Sequence, residues 1–216
     1  MKYTALIVLW SLWCIGHSGL ISVTSNERFR TRCGRHYRLS RLAYNLVALM
    51  TLIPLLRYGD GLKGPVLFRW GGSASFVRWL LLASAGALFI AGGLKYDMLR
   101  FLGIRQITSG QSHTTLSEGG KIDTSGVLGL TRHPWYLATI LFVWAGQREV
   151  YASTLIVNVL LTIYVVVGTL LEERRLIGEF GDSYRHYRQR ASMLFPTKWV
   201  MSKLRIVNGR DSIGRR

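Results

Sequence analysis

Two short stretches carry the residues best suited to chemistry. The first is Thr131-Arg132-His133-Pro134-Trp135-Tyr136-Leu137-Ala138, where a polar, glycine-rich loop gives way to an apolar segment. Proline suits the first position of a helix, where its missing N–H costs nothing and its φ is already helical. Arg132 and His133 then stand at the mouth of that helix, beside unpaired backbone N–H groups and the positive end of its dipole. A guanidinium, an imidazole and free donors at a membrane boundary suit an anionic group. The plainer alternative is a cytosolic-flank arginine with Trp135 and Tyr136 as an interfacial belt. The second stretch is Glu172-Glu173, where an apolar helix is expected to leave the bilayer. Carboxylates there oppose the helix dipole and are costly to desolvate, so solvating the helix end does not explain them. They suit a cationic or hydroxyl-bearing ligand, or else pair with Arg174 or Arg175.

The rest of the chain must bring these stretches together. It has 216 residues, 49% of them hydrophobic and gathered into long blocks, the pattern of a membrane protein. The net charge of +17 is not accompanied by a nucleic-acid-binding motif, and nucleic acid is not an expected partner. The basic residues fall between the apolar blocks, where membrane topology places them. Cys14 lies in an apolar block and Cys33 in a basic loop. Neither suggests a disulfide framework, and no ligand spacing suggests a metal.

The blocks predict an all-α integral membrane protein, a single domain over 1–216 with about five spans. These are 3–21, 42–56, 76–94, 134–146 and 150–171, followed by a cytosolic helix over 172–190. The first block resembles a signal peptide but shows no small-residue cleavage site, so an uncleaved span is expected. A loop over 24–41 carries six arginines, and Pro54 is read as the terminator of the second span. The third span is rich in small residues, as close packing in lipid requires. In the long loop 95–132, Gly126 and Gly129 allow the backbone to approach a ligand. The link 147–149 makes the last two spans an antiparallel hairpin that returns the chain to the His133 side. Their unequal lengths place His133 deeper than the glutamates by up to about 13 Å. Leu176, Ile177, Phe180, Tyr184 and Tyr187 then form the apolar face of an amphipathic helix that covers the recess or simply lies on the surface. Beyond Pro196 a basic, mobile tail is expected.

Of the 28 Lys and Arg residues, Lys2, Arg57, Lys63, Arg69, Arg78 and Arg148 lie on one side of five spans and the other 22 on the opposite side. This bias puts the N-terminus outside, and the C-terminus and both motifs in the cytosol. His17, Ser18, Tyr44 and Asn45 are the main polar groups of the first two spans. They are expected to border a substrate site reached from the lipid.

Gly129-x-x-Arg132-His133-Pro134-Trp135-Tyr136-Leu137, followed by Glu172-Glu173-x-x-Leu176-x-x-x-Phe180-Gly181-x-x-Tyr184-x-x-Tyr187 and Pro196, resembles the isoprenylcysteine carboxyl methyltransferase superfamily. The resemblance covers residues 120–196. Leu171-Glu172-Glu173-Arg174, Met193-Leu194-x-Pro196 and His17-Ser18 are similar to the bacterial methanethiol S-methyltransferase branch. It implies an integral-membrane enzyme using S-adenosylmethionine, with His133, Tyr136, Glu172, Glu173 and Tyr184 lining the cofactor pocket. The segment Gly126–Leu130, with Leu128 and Leu130, would add backbone contacts. Arg132 is expected to orient an anionic acceptor or the cofactor carboxylate, and Glu173 to serve the cofactor or the reacting centre. The acceptor is a thiol, a prenylcysteine-type carboxylate or a lipid. A small transporter or a structural membrane protein is the alternative, against which the lack of an internal repeat counts.

Overall fold

The computed structural model describes residues 2–21, 31–32, 34–96, 98–109, 117–118 and 121–204. Most of the arginine loop before residue 34, Cys33 and the basic tail from 205 onward lie outside the described residues. Four helices are long and apolar enough to cross a membrane. They are α1 (Lys2–Ile21), α2 (Ser40–Gly61), α3 (Ala74–Gly93) and, further along, Ala152–Phe180. Short helices α4 (Met98–Leu102) and α5 (Ile104–Ser109) follow α3. Then come α6 (Val127–Leu130), the short apolar helix α7 (Pro134–Ala145), the long helix α8 (Ala152–Phe180) and α9 (Asp182–Arg190). The protein is an all-α, multi-pass membrane protein.

Pro54 does not end the second span. It lies inside α2, which runs on to Gly61. A single missing N–H is tolerated in a membrane helix because neighbouring groups take up the freed carbonyl. The fifth span does not end at Leu171 either. α8 continues to Phe180, and Gly181, at φ +55°, makes the break before α9. Glu172 and Glu173 are therefore inside a helix, so the opposition to a helix terminus expected at these positions does not arise.

The seam between α7 and α8 explains how the hairpin is registered. Thr154, Asn158, Thr162, Thr169 and Glu173 recur along α8 at helical spacing. Trp144 Nε1 donates to Thr162 Oγ1 at 2.9 Å, and His133 Nε2 lies 2.9 Å from Glu173 Oε1. Between these two contacts both helices advance by the same number of residues, so His133 and Glu173 are level. The expected depth offset is absent because the extra length of α8 is taken up at the other end. There Thr154 Oγ1 donates to Gln147 Oε1 at 3.1 Å, and strand β2 (Glu149–Tyr151) pairs antiparallel with β1 (Val66–Arg69). The expected bare turn is thus part of a two-stranded ribbon, tied by Arg69 to Glu149 at 2.7 Å. Arg78 donates to the carbonyls of Ala145 (2.9 Å) and Gly146 (3.1 Å), satisfying the end of α7.

Hydrocarbon chains are as apolar as leucine, so contact between spans must come from close packing and buried hydrogen bonds. Gly92 on α3 shows how close: a Cβ there would stand 2.5 Å from Trp135 Cδ1. α8 is the central pillar. Its Ile156–Leu161 stretch packs on Leu6, Trp10 and Leu55, and Val165 and Val166 on Leu137, Ile140 and Leu194. At the far end Leu176 joins Leu128, Tyr184, Tyr187 and Ala191 in a third cluster. The apolar face expected over 176–187 thus folds inward, split between α8 and α9 rather than on one helix.

Candidate functional site

The two motifs meet through Glu173. Its carboxylate is 5% exposed and collects donors from the start of α7 and from α9. Oε1 accepts from Arg132 Nε (2.8 Å), His133 Nε2 (2.9 Å) and the Tyr184 hydroxyl (2.6 Å). Oε2 accepts from an Arg132 terminal nitrogen and from Arg188 Nε, both at 2.9 Å. A buried carboxylate is tolerated only when paired and hydrogen-bonded in this way. Tyr184 and Arg188 reach it because Gly181 turns α9 back along α8.

Arg132 is equally committed. Besides both carboxylate oxygens it donates to the carbonyls of Arg188 (3.3 Å) and Ala191. Its backbone N–H donates to Ser192 at 2.9 Å, and the His133 N–H to Thr131 Oγ1 at 3.4 Å. At the α7 mouth, where it was expected to orient an anion, its side chain serves three protein partners. The segment Ala191–Leu194, which sequence reasoning read only as the end of a helix, is buried against this stretch and bridges Thr131 to Ser192.

Glu172 is different. One position along α8 turns its carboxylate about 100° away. It is 22% exposed and lies 3.7 Å from His133 Nδ1 and 4.0 Å from Arg175. The Tyr136 hydroxyl is turned toward it, with Tyr96 and Tyr164 close to that hydroxyl. The His133 and Tyr136 rings stack, 9° from parallel with centroids 5.4 Å apart. Of the two glutamates this is the one with coordination left to offer, set between an imidazole and a phenol.

The remaining expected residues divide. Leu128 is buried, and its carbonyl already accepts from Tyr187 at 2.7 Å. Leu130 is half-buried. Gly126 lies under Lys95, whose ammonium binds Asp123 at 2.9 Å and Ser125 at 2.5 Å. The Ser125 hydroxyl and backbone N–H, with Lys95, hold the Asp123 carboxyl down at about 2. In the spans, the Tyr44 hydroxyl lies 2.8 Å from His17 Nε2, and Ser18 Oγ 2.9 Å from the Tyr164 hydroxyl. Asn45 stands apart from this group. Its amide nitrogen donates to the carbonyls of Phe101 (3.3 Å) and Leu102 (3.1 Å), tying α4 to α2.

Sequence reasoning missed Tyr96, Tyr164 and Arg188. Tyr164 carried a signal, a phenol in an apolar span; Tyr96 and Arg188 carried none, because their placement depends on how α3 and α9 end and turn. Among the described residues there is no cluster able to hold a metal ion.

Comparison with known proteins places this geometry. No protein-family profile and no solved structure matches the chain. Methanethiol S-methyltransferase 1 of Bradyrhizobium diazoefficiens is 30% identical over 88% of this chain and 65% of its own length. Methanethiol S-methyltransferase 2 of the same organism is 30% identical over 88% of this chain and 71% of its own. A protein-S-isoprenylcysteine O-methyltransferase of Schizosaccharomyces pombe is 30% identical over 42% of this chain and 41% of its own. The chain thus spans about two thirds of the length of the two bacterial relatives. With its paired motifs joined at one buried carboxylate, the chain belongs to the isoprenylcysteine carboxyl methyltransferase-like family of membrane methyltransferases.

Proposed function

We propose that this protein transfers a methyl group from S-adenosylmethionine to a small thiol at the cytosolic face of a membrane. The observation that carries the reading is the division of labour between adjacent glutamates. Glu173 locks Arg132, His133, Tyr184 and Arg188 into one unit. That unit holds His133 and, through the start of α7, Tyr136 beside the part-exposed Glu172. The cofactor carries an ammonium, a sulfonium and a ribose diol, and a part-exposed carboxylate between a phenol and an imidazole fits those groups. Glu172, His133, Tyr136 and Tyr96 are the residues that would hold it.

Bound there, S-adenosylmethionine supplies a methyl group already activated by sulfonium charge. The chain's own work is alignment and exclusion of water. The stacked His133 and Tyr136 rings form a rigid wall, and the buried Glu173 assembly keeps that wall from moving. His17, Ser18, Tyr44 and Tyr164 border the acceptor side, and an apolar thiol reaches them from the lipid. A thiol is preferred because six relatives at this level of similarity bear the name methanethiol S-methyltransferase. The charge bias supports an N-terminus outside and the site and C-terminus in the cytosol.

Saturable binding of radiolabelled S-adenosylmethionine to the purified full chain in detergent is expected, followed by label in an extractable thioether when methanethiol is added. A protein that binds no S-adenosylmethionine is instead a transporter or structural protein. One that binds it but labels only prenylcysteine analogues has the acceptor assigned wrongly.

A further inference from the structure

Burial, ring stacking and hydrogen bonds concentrate on one residue that the cofactor side does not use. His17 sits at the junction of α1, α2 and α8, half-buried. Trp13 stacks on its ring, 17° from parallel with centroids 4.8 Å apart, and is itself fixed by donating to Thr51 Oγ1 at 3.0 Å. The Tyr44 hydroxyl lies 3.0 Å from Nδ1 and 2.8 Å from Nε2, and the Tyr164 ring stands edge-on with centroids 6.4 Å apart. The titratable and charged groups facing His17 are Tyr44 and Arg41 from α2 and Tyr164 from α8, with Cys14 on its own helix beside Tyr164. Arg41 donates to Phe101 O at 3.3 Å and lies over the Tyr44 and Phe101 rings. None of these groups is a carboxylate, so among the described residues His17 has no ion-pair partner.

Tyr164 joins this cluster to the other site. Its hydroxyl meets Ser18, and it lies close enough to Tyr136 to interact with it, while Tyr136 faces Glu172. Tyr164 thus interacts both with the His17 cluster and with Tyr136.

Resting on the methyl-transfer reading, we propose that His17 is the proton acceptor for a thiol substrate, with Tyr44 as its positioning residue. The chemistry requires such a group. The thiolate is the nucleophile; even a cysteine thiol, with a pKa of about 8.5, is mostly protonated near neutral pH, and a simple alkyl thiol is less acidic still. Imidazole is the side chain whose ordinary pKa lies nearest that range on the acid side. In the step the S–H bond breaks, its electron pair stays on sulfur, and the proton forms an N–H bond on the imidazole. The imidazolium later returns that proton to water. The resulting thiolate is the species a methyl donor alkylates. A carboxylate acceptor would need no base.

The test needs no methyl donor. A coloured aromatic thiol, whose thiolate absorbs clear of the protein, is bound to the purified full chain in detergent and titrated. In the unsubstituted protein the bound thiol should ionise about one pH unit or more below the free thiol. In His17→Gln, which can still hydrogen-bond Tyr44, that shift should vanish while the thiol still binds; Tyr44→Phe should reduce it. An unchanged shift in His17→Gln, or no shift in the unsubstituted protein, overturns the proposal. If His17→Gln does not fold, loss of the shift in Tyr44→Phe supports the assignment and its retention overturns it. With S-adenosylmethionine present, the His17→Gln deficit should be on the order of a hundredfold for an alkyl thiol and shrink toward none for a thiol already ionised. An equal deficit for all thiols would mark a structural role and refute the base while leaving methyl transfer intact. A thiolate shift without any methyl transfer would keep the base and refute the transfer.

Discussion

The adjacent glutamates should respond oppositely to the same substitution. Glu173→Gln keeps the side chain's shape but removes the charge that five donors share. An amide offers one acceptor oxygen and turns its NH2 group toward arginine donors. Arg132 is 7% exposed and would be left as a buried cation without its counterion. Breaking a buried pair from one side costs about 3–5 kcal/mol. For a chain of this size that lowers the melting temperature by on the order of 10 °C. Glu172→Gln acts on a part-exposed carboxylate whose ion-pair contacts are long, 3.7 Å to His133 Nδ1 and 4.0 Å to the half-exposed Arg175, so stability should change by less than about 1 kcal/mol. Its ligand affinity should fall about ten- to a hundredfold, the equivalent of roughly 1.5–3 kcal/mol for a lost charged hydrogen bond. Thermal unfolding in detergent and calorimetric titration with S-adenosylhomocysteine separate the two effects. A Glu173→Gln protein as stable as the parent, or a Glu172→Gln protein with parental affinity and a large stability loss, would refute the division of roles.

Other substitutions probe the supports. Arg132→Lys keeps the charge but loses the fork that spans both oxygens of Glu173 and two carbonyls, so detergent stability should drop by about 2 kcal/mol or more, read by thermal unfolding. Gly92→Val drives a side chain into Trp135 and should separate α3 from α7, seen as loss of a disulfide engineered between these helices. Asp123 has a folded pKa of about 2, below its ordinary 3.8. Its clasp with Lys95 and Ser125 is therefore complete above about pH 4 and lost as pH falls through about 2. Hydrogen exchange over 123–130 should quicken in that acid window, and in Asp123→Asn at neutral pH. Single cysteines at 69 and 175 should label from opposite sides of sealed vesicles; labelling from one side would refute the topology.

What the sequence disclosed and what it withheld follow from how local each signal is. Pro134 at the start of α7 and the apolar runs of the spans are written in neighbouring residues, and they hold in the structure. The pairing of the two motifs was legible from the short link that forces a hairpin. The end of α8 was not, because the change from apolar to charged residues after Leu171 marks the membrane surface and not the end of helical hydrogen bonding. The break depended on Gly181 and its backbone angle, a weaker cue than the charges before it.

The roles within the site were the least legible part, for a physical reason. Glu172 and Glu173 are chemically identical and adjacent, and only helical phase separates them. One residue's rotation delivers Glu173 into the space between α7 and α9 and leaves Glu172 at its edge. That phase is set by the α7–α8 seam, by Trp144 on Thr162 and by the small residues that let the helices approach. The same phase decides the fate of Arg132. An arginine at a helix mouth reads as an anion receptor until the chain brings a carboxylate and two carbonyls to it, and the carbonyls come from residues 188 and 191, more than fifty positions away. A cation so fully engaged has its side-chain donors committed to the assembly that orders His133. On the proposed reading the ligand-facing charge is Glu172, and the rigidity that makes its placement useful is the contribution of its neighbour.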